Sequence, residues 1–186
     1  MDLTTEQVTL VAALLAFVAS VVTLAGNLFK QRSSDFGAAH RRLLEPHVHN
    51  LSEALHQIGA SSSLLIKNRD NDVVSARWRE KADEAQSEIK KCRRVLRYPL
   101  WGLDDGLRTV SRLADWVDHV RATPETAQSI LDAGGELRGA LDQAIRKSYL
   151  KGRPPHFIDV ARVNRHSKKL KQVRDRVMQI PQTARA

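Results

Sequence analysis

The 186-residue sequence has little cysteine, proline, glycine or aromatic residue content. Its single cysteine, Cys92, excludes a disulfide framework and a cysteine-based zinc module. Six prolines and nine glycines exclude collagen-like and low-complexity chains. Phosphate-binding glycine-rich loops, dinucleotide-binding fingerprints and serine or cysteine catalytic arrangements are also missing from the sequence. The sequence therefore favours a protein that is not an enzyme and that holds no cofactor.

Charged residues are absent between Glu6 and Lys30. Valine, leucine, phenylalanine and alanine fill most positions of residues 8–29. At about 1.5 Å per residue this stretch reaches about 33 Å, which matches a hydrocarbon core of about 30 Å. The sequence thus predicts a transmembrane anchor over residues 1–29, followed by a juxtamembrane connector over residues 30–45.

A cleaved signal peptide, with Thr23-Leu24-Ala25 as its cleavage sequence, is the alternative interpretation. It is less favoured, because the flanking charges on Asp2 and Glu6 are acidic and the apolar stretch exceeds the usual length of about 7–15 residues. All thirty basic residues follow the stretch. The positive-inside rule therefore predicts a single-pass protein of the plasma membrane, with its amino terminus outside and the remaining chain in the cytosol.

Small side chains recur along one side of the apolar stretch, at Ala12, Ala16, Ala19, Thr23 and Gly26. Small residues at spacings of three and four let helices approach closely, which favours a homo-oligomer. The alternative is that alanine is simply common in such anchors.

Beyond Phe29 the apolar residues follow a helical period, and no stretch shows the alternation of a strand. The first stripe of this kind comprises Leu44, Val48, Leu51, Leu55, Ile58, Ser62 and Leu65. Pro46 either starts this helix or kinks a longer one. Three more amphipathic helices are expected over about residues 72–97, 100–121 and 123–151, the second helix capped by Asp72 and the fourth by Thr123 with Pro124 at its first position. We therefore predict an all-α fold, with an antiparallel up-down four-helix bundle of coiled-coil-like packing over residues 46–152.

The net charge of +9 is distributed unevenly along the chain. Residues 30–142 hold eighteen basic and seventeen acidic side chains, whereas residues 143–186 hold twelve basic and two acidic ones. A basic helix with a thin apolar stripe, from about residue 156 to 178, and a tail beyond Pro181 are expected within residues 153–186. The residues predicted to contact an anionic lipid or ligand are Arg146, Lys147, Lys151, Arg153, Arg162, Arg165, Lys168, Lys169 and Lys171.

An even number of bundle helices would return this basic segment to the membrane, where each lysine or arginine near anionic headgroups is worth about 1 kcal/mol. The other interpretations are contact with an acidic partner protein and a solvated charged face. Nucleic acid is disfavoured as a partner, because the segment offers only Tyr149 and Phe157 for stacking on bases.

His49, Glu53 and His56 share one helical face, and Glu53 and His56 have the spacing used in di-iron helical bundles. Such a site requires a second Glu-x-x-His pair, which the sequence lacks. The three side chains also point away from the apolar stripe. We therefore expect a solvated face here and no metal.

Small residues near Gly59 and at Gly134 are unusual within helices, because glycine costs about 1 kcal/mol there relative to alanine. The up-down layout brings them to the level of two indoles. One hypothesis is a small pocket formed by Ser61, Ser62, Trp78, Trp116 and Gly134. The alternative is that the indoles simply fill the space that the small residues leave.

Two functions follow from these expectations. The first is a membrane-anchored adaptor, in which the cytosolic bundle binds an unidentified protein partner and the basic segment contacts anionic lipid. The alternative is a signal-gated membrane effector that binds an anionic, nucleotide-like ligand and oligomerises through its transmembrane helix.

Overall fold

The computed structural model describes residues 5–121 and 123–179, with side chains from Phe17 onward. Within these ranges the regular secondary structure is entirely α-helical, which confirms the all-α prediction. The helices are α1 (Thr5–Lys67), α2 (Asp72–Val95), α3 (Asp104–Val110), α4 (Leu113–Val120), α5 (Pro124–Lys151) and α6 (Phe157–Gln179). The predicted tail beyond Pro181 lies outside the described residues.

The chain divides into two compact units, residues 1–39 and residues 40–186. In the first unit, the described side chains belong to α1. Many of its large apolar side chains are exposed, namely Phe17, Val18, Val21, Val22, Leu24, Leu28, Phe29 and Phe36. The second unit holds the remainder of α1 together with α2 to α6.

No helix in the described part of the chain combines the length and the apolar character that a membrane crossing requires. The predicted transmembrane anchor, its single-pass topology and the plasma-membrane location with an external amino terminus are therefore wrong. Residues 1–4 and the side chains of residues 5–16, among them Ala12 and Ala16, lie outside the described residues.

The core of the second unit is built from the predicted helical stripes. Along α1, Val48 is partly buried and the other stripe residues are fully buried, which confirms the predicted period. The helix continues through Pro46 rather than starting there. Other fully buried side chains include Ile89, Leu96, Leu103, Leu107, Leu113, Ile130 and Leu137.

The structure differs from expectation at the start of α2 and within the helix expected over residues 100–121. Asn71 rather than Asp72 caps α2, because its side chain accepts a hydrogen bond from the backbone N–H of Val74. The single helix expected over residues 100–121 is two helices, α3 and α4, separated at Ser111 and Arg112. The predicted start of α5 is confirmed, since Thr123 is its cap and Pro124 its first residue.

Helices α1 and α5 run antiparallel along the second unit. His40 near one end of this helix pair lies 3.0 Å from Ser148, between Nε2 and Oγ, and Ser52 donates a hydrogen bond of 2.7 Å to Asp142. Residue numbers thus increase along α1 and decrease along α5 in the same direction, as in an antiparallel pair. Gly152 then ends α5 in a left-handed conformation, with φ of 59°.

Candidate functional site

The basic helix α6 packs on the second unit. Val163, Leu170 and Val177 are buried, and the helix lies along both α5 and α3. A side chain at Gly106 of α3 would collide with Val163, so the two helices approach closely at a residue without Cβ. This packing uses the apolar stripe that the sequence predicted for α6.

A polar cluster fixes α6 to α3. Thr109 and Ser167 place their hydroxyl oxygens 2.9 Å apart in a buried position, and Ser167 donates a hydrogen bond of 2.7 Å to Asp105. Lys171 donates to both carboxylate oxygens of Asp105. Burial alone would raise the pKa of Asp105, but the hydrogen bonds from Lys171 and Ser167 outweigh it and lower the pKa overall.

A second set of contacts joins α6 to α5. Lys169 donates to both oxygens of Glu136, at 2.8 and 2.7 Å, and these bonds lower the pKa of Glu136. Arg162 donates to Gln143 at 2.8 Å, and Lys147 donates to Asp159 at 3.1 Å. Acidic side chains of the second unit thus neutralise part of the positive charge of residues 143–186.

The nine basic residues predicted to contact an anion therefore divide into two groups. Arg146, which pairs with Asp142, and Lys147, Arg162, Lys169 and Lys171 all bind side chains of the protein itself. The other four are exposed and make no ion pair within the described part of the chain, namely Lys151, Arg153, Arg165 and Lys168. The anion contact predicted for these nine residues stays a prediction, and these four are the ones left available for it.

The serines and the glycine of the predicted pocket are packed into the core. Ser61 and Ser62 are both buried, and Ser62 donates to the backbone carbonyl of Ile58. The space beside Gly134 is occupied by the side chain of Leu113 and not by an indole. Each of these residues therefore faces packed protein.

The two tryptophans of the predicted pocket pack at the edge of the core under cations. The guanidinium of Arg174 lies 4.8 Å from the ring centre of Trp116, and the ammonium of Lys81 lies 5.0 Å from that of Trp78. Each cation–π contact at an exposed site stabilises the folded state by about 0.5–1 kcal/mol. The indoles thus cover the edge of the core, and the shared pocket with the serines stays a prediction.

The histidine face of α1 borders a groove between α1 and α5. His49 lies 3.8 Å from Glu53, and both line this groove of about 520 Å³ with His56, Arg138 and Arg146. The two guanidinium groups disfavour a metal cation there. Within residues 5–121 and 123–179, no three side chains of histidine, cysteine, aspartate or glutamate are grouped as metal ligands.

A further concentration of positive charge lies in a groove between α2 and the α3–α4 pair. We call it the basic groove, and its volume is about 600 Å³. Its lining residues are Gln86, Lys90, Arg93, Arg94, Arg108, Ser111, Arg112 and Asp115. Five of these eight side chains are cations and one is an anion, so the groove is suited to binding negative charge.

Asp104 orients two of the cations. Its Oδ1 lies 3.1 Å from Nε of Arg93, and its Oδ2 lies 3.2 Å from Nη2 of Arg108. One carboxylate shared by two guanidinium groups leaves this trio positively charged. The two arginines are thus held in place, and one positive charge remains in excess.

Gln86 orients a third cation and joins the two walls. Its side-chain nitrogen donates to the carbonyl of Ser111 at 2.9 Å and to Asp115 at 3.1 Å, while its oxygen accepts a hydrogen bond of 2.7 Å from Lys90. A neutral amide therefore positions the ammonium group. The lysine keeps its full charge.

Arg94 and Arg112 are exposed and make no ion pair within the described part of the chain. Each guanidinium presents five N–H donors. Arg112 is also the cap residue of α4, whose amino end has no side-chain cap. The positive end of that helix therefore adds to the field of the groove.

Sequence reasoning missed the basic groove because it averaged charge over long segments. Residues 30–142 are nearly neutral in total, yet five of the eight residues from Lys90 to Arg97 are basic. Arg108 and Arg112 are one helical turn apart and lie across the antiparallel turn from that cluster. A local count of charge along α2 was the available signal.

Comparisons with protein-family models, with curated proteins and with solved structures gave no match to this chain. The geometry of its described residues is thus the basis for assigning a function.

Proposed function

We propose that this protein is a non-enzymatic binding module whose helical bundle engages an anionic partner through the basic groove. The observation that carries this proposal is the gathering of five cations around one open space, where Arg94 and Arg112 make no ion pair with any described residue. Binding an anion there would relieve the mutual repulsion of these cations.

The lining supports binding rather than catalysis. Its hydroxyl, on Ser111, donates to the carbonyl of Arg108 at 2.9 Å, and its carboxylate, on Asp115, accepts from Gln86. Neither is placed to activate the other, as a nucleophile and its base would be. The groove can thus attract, orient and hold an anion.

The test compares two double variants of the full chain. Arg94→Gln with Arg112→Gln removes two charges from the basic groove, and Arg165→Gln with Lys168→Gln removes two charges from the exposed side of α6. Binding is measured by fluorescence anisotropy with two labelled probes, a polyglutamate peptide and inorganic polyphosphate, near physiological salt.

At least one probe should bind the unaltered protein. The groove variant should weaken that binding by about tenfold or more, because each lost charge-assisted contact is worth about 1.5–3 kcal/mol. The α6 variant should change it much less. Equal weakening by both variants, or no binding of either probe, would overturn the proposal.

A second candidate function is an adaptor that self-associates through the first unit. Exposed apolar side chains such as Phe17, at 70% exposure, and Phe29, at 77%, favour this function. Val21→Ser with Leu28→Ser should reduce the mass measured by light scattering on a sizing column. Leu43→Ser, at an exposed apolar position in the second unit, is the matched control. A mass that is monomeric throughout would remove this candidate.

A further inference from the structure

The chemistry of the basic groove narrows the class of anion that it takes. Four of its five cations are arginines, on both walls of the space: Arg93 and Arg94 from α2, Arg108 from α3, and Arg112 at the start of α4. Planar guanidinium groups form paired hydrogen bonds with phosphate oxygens, so arginine is favoured where phosphate is recognised.

The lining contains no aromatic ring and no large apolar side chain. Binding single-stranded nucleic acid uses rings on which bases stack, and docking a peptide uses buried apolar or aromatic anchors. The basic groove provides neither within its described lining. Its ligand must therefore be recognised through charge and hydrogen bonds alone.

Size and charge set the number of phosphate groups. The volume of about 600 Å³ falls within the range of about 300–1,000 Å³ that is typical of small-molecule sites. Counting Asp104 and Asp115 against the five cations leaves three positive charges in excess. A phosphate group carries about −1.5 to −2 charges at pH 7, so two or more groups are needed to match that excess.

On the basis of the proposed function above, we infer that the anionic partner is a small molecule bearing two or more phosphate groups, held between the guanidinium groups of α2 and those of α3 and α4. Arg93 and Arg108 are already fixed by Asp104. Arg94 and Arg112 supply the guanidinium groups that bind the phosphate oxygens directly.

The experiment is isothermal titration calorimetry of the full chain with sodium tripolyphosphate as the probe. Orthophosphate, citrate, the polyglutamate peptide and a short single-stranded oligonucleotide are titrated in parallel. Tripolyphosphate should bind with one site per chain and at least about tenfold more tightly than the other four probes. It alone brings several directly linked phosphate groups into the groove, whereas the phosphates of the oligonucleotide are singly charged diesters spaced along a backbone.

Two variants connect binding to the basic groove. Arg94→Gln with Arg112→Gln should weaken tripolyphosphate binding by about tenfold or more, while Arg165→Gln with Lys168→Gln should leave it nearly unchanged. Arg94→Lys with Arg112→Lys keeps the charge but loses the paired hydrogen bonds, and should also weaken binding. Circular dichroism of each variant establishes that it is folded, and the lysine variant carries the test if the glutamine variant is not.

The outcomes separate the inference from the function on which it rests. Groove-dependent binding of polyglutamate or of the oligonucleotide, without binding of tripolyphosphate, would overturn the inference and leave the proposed function standing. Full affinity in the lysine variant would also overturn it, because phosphate recognition by guanidinium pairs would be absent. No binding of any probe would overturn both.

Discussion

Lys171 of α6 donates hydrogen bonds from Nζ to both carboxylate oxygens of Asp105 in α3, at 2.7 and 2.9 Å. The two residues are far apart in the sequence, and their pairing holds the last described helix in place beside the buried contact between Thr109 and Ser167. The same lysine belongs to the set that the sequence suggested for an external anion. Its charge is paired instead with a carboxylate of the same chain.

Replacing Asp105 with Asn should destabilise the protein at pH 7. The ion pair is about half exposed, so the expected loss in free energy of unfolding is about 1 kcal/mol or less. The pKa of Asp105 is lowered in the folded state. Its stabilisation is therefore present above the unfolded pKa of about 3.9 and is lost as pH falls through the folded value.

Thermal unfolding of both proteins at a series of pH values downward from 7 measures this difference. The gap between the two melting temperatures should begin to narrow only as the pH falls below about 3.9, because the pKa of Asp105 is lowered in the folded state. A gap that begins to narrow well above that pH would mean that the carboxylate charge is not what fixes α6.

Gly134 and Gly135 are neighbours in α5 with opposite surroundings. A Cβ at Gly134 would collide with Leu113, whereas a Cβ at Gly135 meets open space. Gly134→Ala should therefore destabilise the protein by about 1–3 kcal/mol through overpacking. Gly135→Ala should stabilise it by about 0.5–1 kcal/mol, because alanine is the better helix former.

Guanidinium denaturation of the two variants measures both changes. The pair is its own control, since each substitution adds the same methyl group to the same helix. Equal effects at both positions would show that α4 does not pack against α5 as described.

His40 gives the protein a second dependence on pH. Ser148 uses its hydroxyl hydrogen on the carbonyl of Arg153, so the neutral imidazole donates from Nε2 to Ser148 Oγ. Burial lowers the pKa of His40 in the folded state. The unfolded chain thus takes up the proton first, and stability falls as pH decreases below about 6.5.

His40→Gln keeps an N–H donor without a titratable ring. The slope of unfolding free energy against pH, between pH 7.5 and 5.5, should be smaller in this variant than in the unaltered protein. Identical slopes would assign the pH dependence to the other histidines.

Cys92 should be almost unreactive in the folded protein. Burial, reinforced by the neighbouring Glu88, raises its pKa from 9.0 to about 11. Near pH 8 this lowers the thiolate fraction by about 100-fold, and the buried position slows reagents further. A disulfide-exchange reagent should label the chain quickly only in urea. Fast labelling without denaturant would show that α2 opens at this position.

The buried stripes could be predicted because the faces of helices that pack together must be apolar at a period near 3.6 residues. Leu51, Leu55 and Ile58 satisfy that rule in the sequence and are buried in the fold. The break between α3 and α4 carries no such signal. At this break Gln86, a residue of another helix, donates a hydrogen bond to the carbonyl of Ser111.

The basic groove could not be read from either of its walls alone. Lys90 and Arg94 are ordinary exposed residues of α2, and Arg112 is an ordinary exposed residue before α4. Their significance comes from the antiparallel turn that sets the walls side by side. The apolar stretch near the amino terminus was misleading in the opposite way, because its composition suggested a membrane anchor that the described helices do not contain.

Because the chain is synthesised from its amino end, the contact between Gly106 and Val163 can form only after α6 has been made. Every residue lining the basic groove precedes residue 116, so both walls emerge from the ribosome well before α6 does. During that interval the face of α3 that α6 covers in the folded protein is exposed to water. Both walls of the basic groove are thus synthesised before α6, the last helix of the described residues.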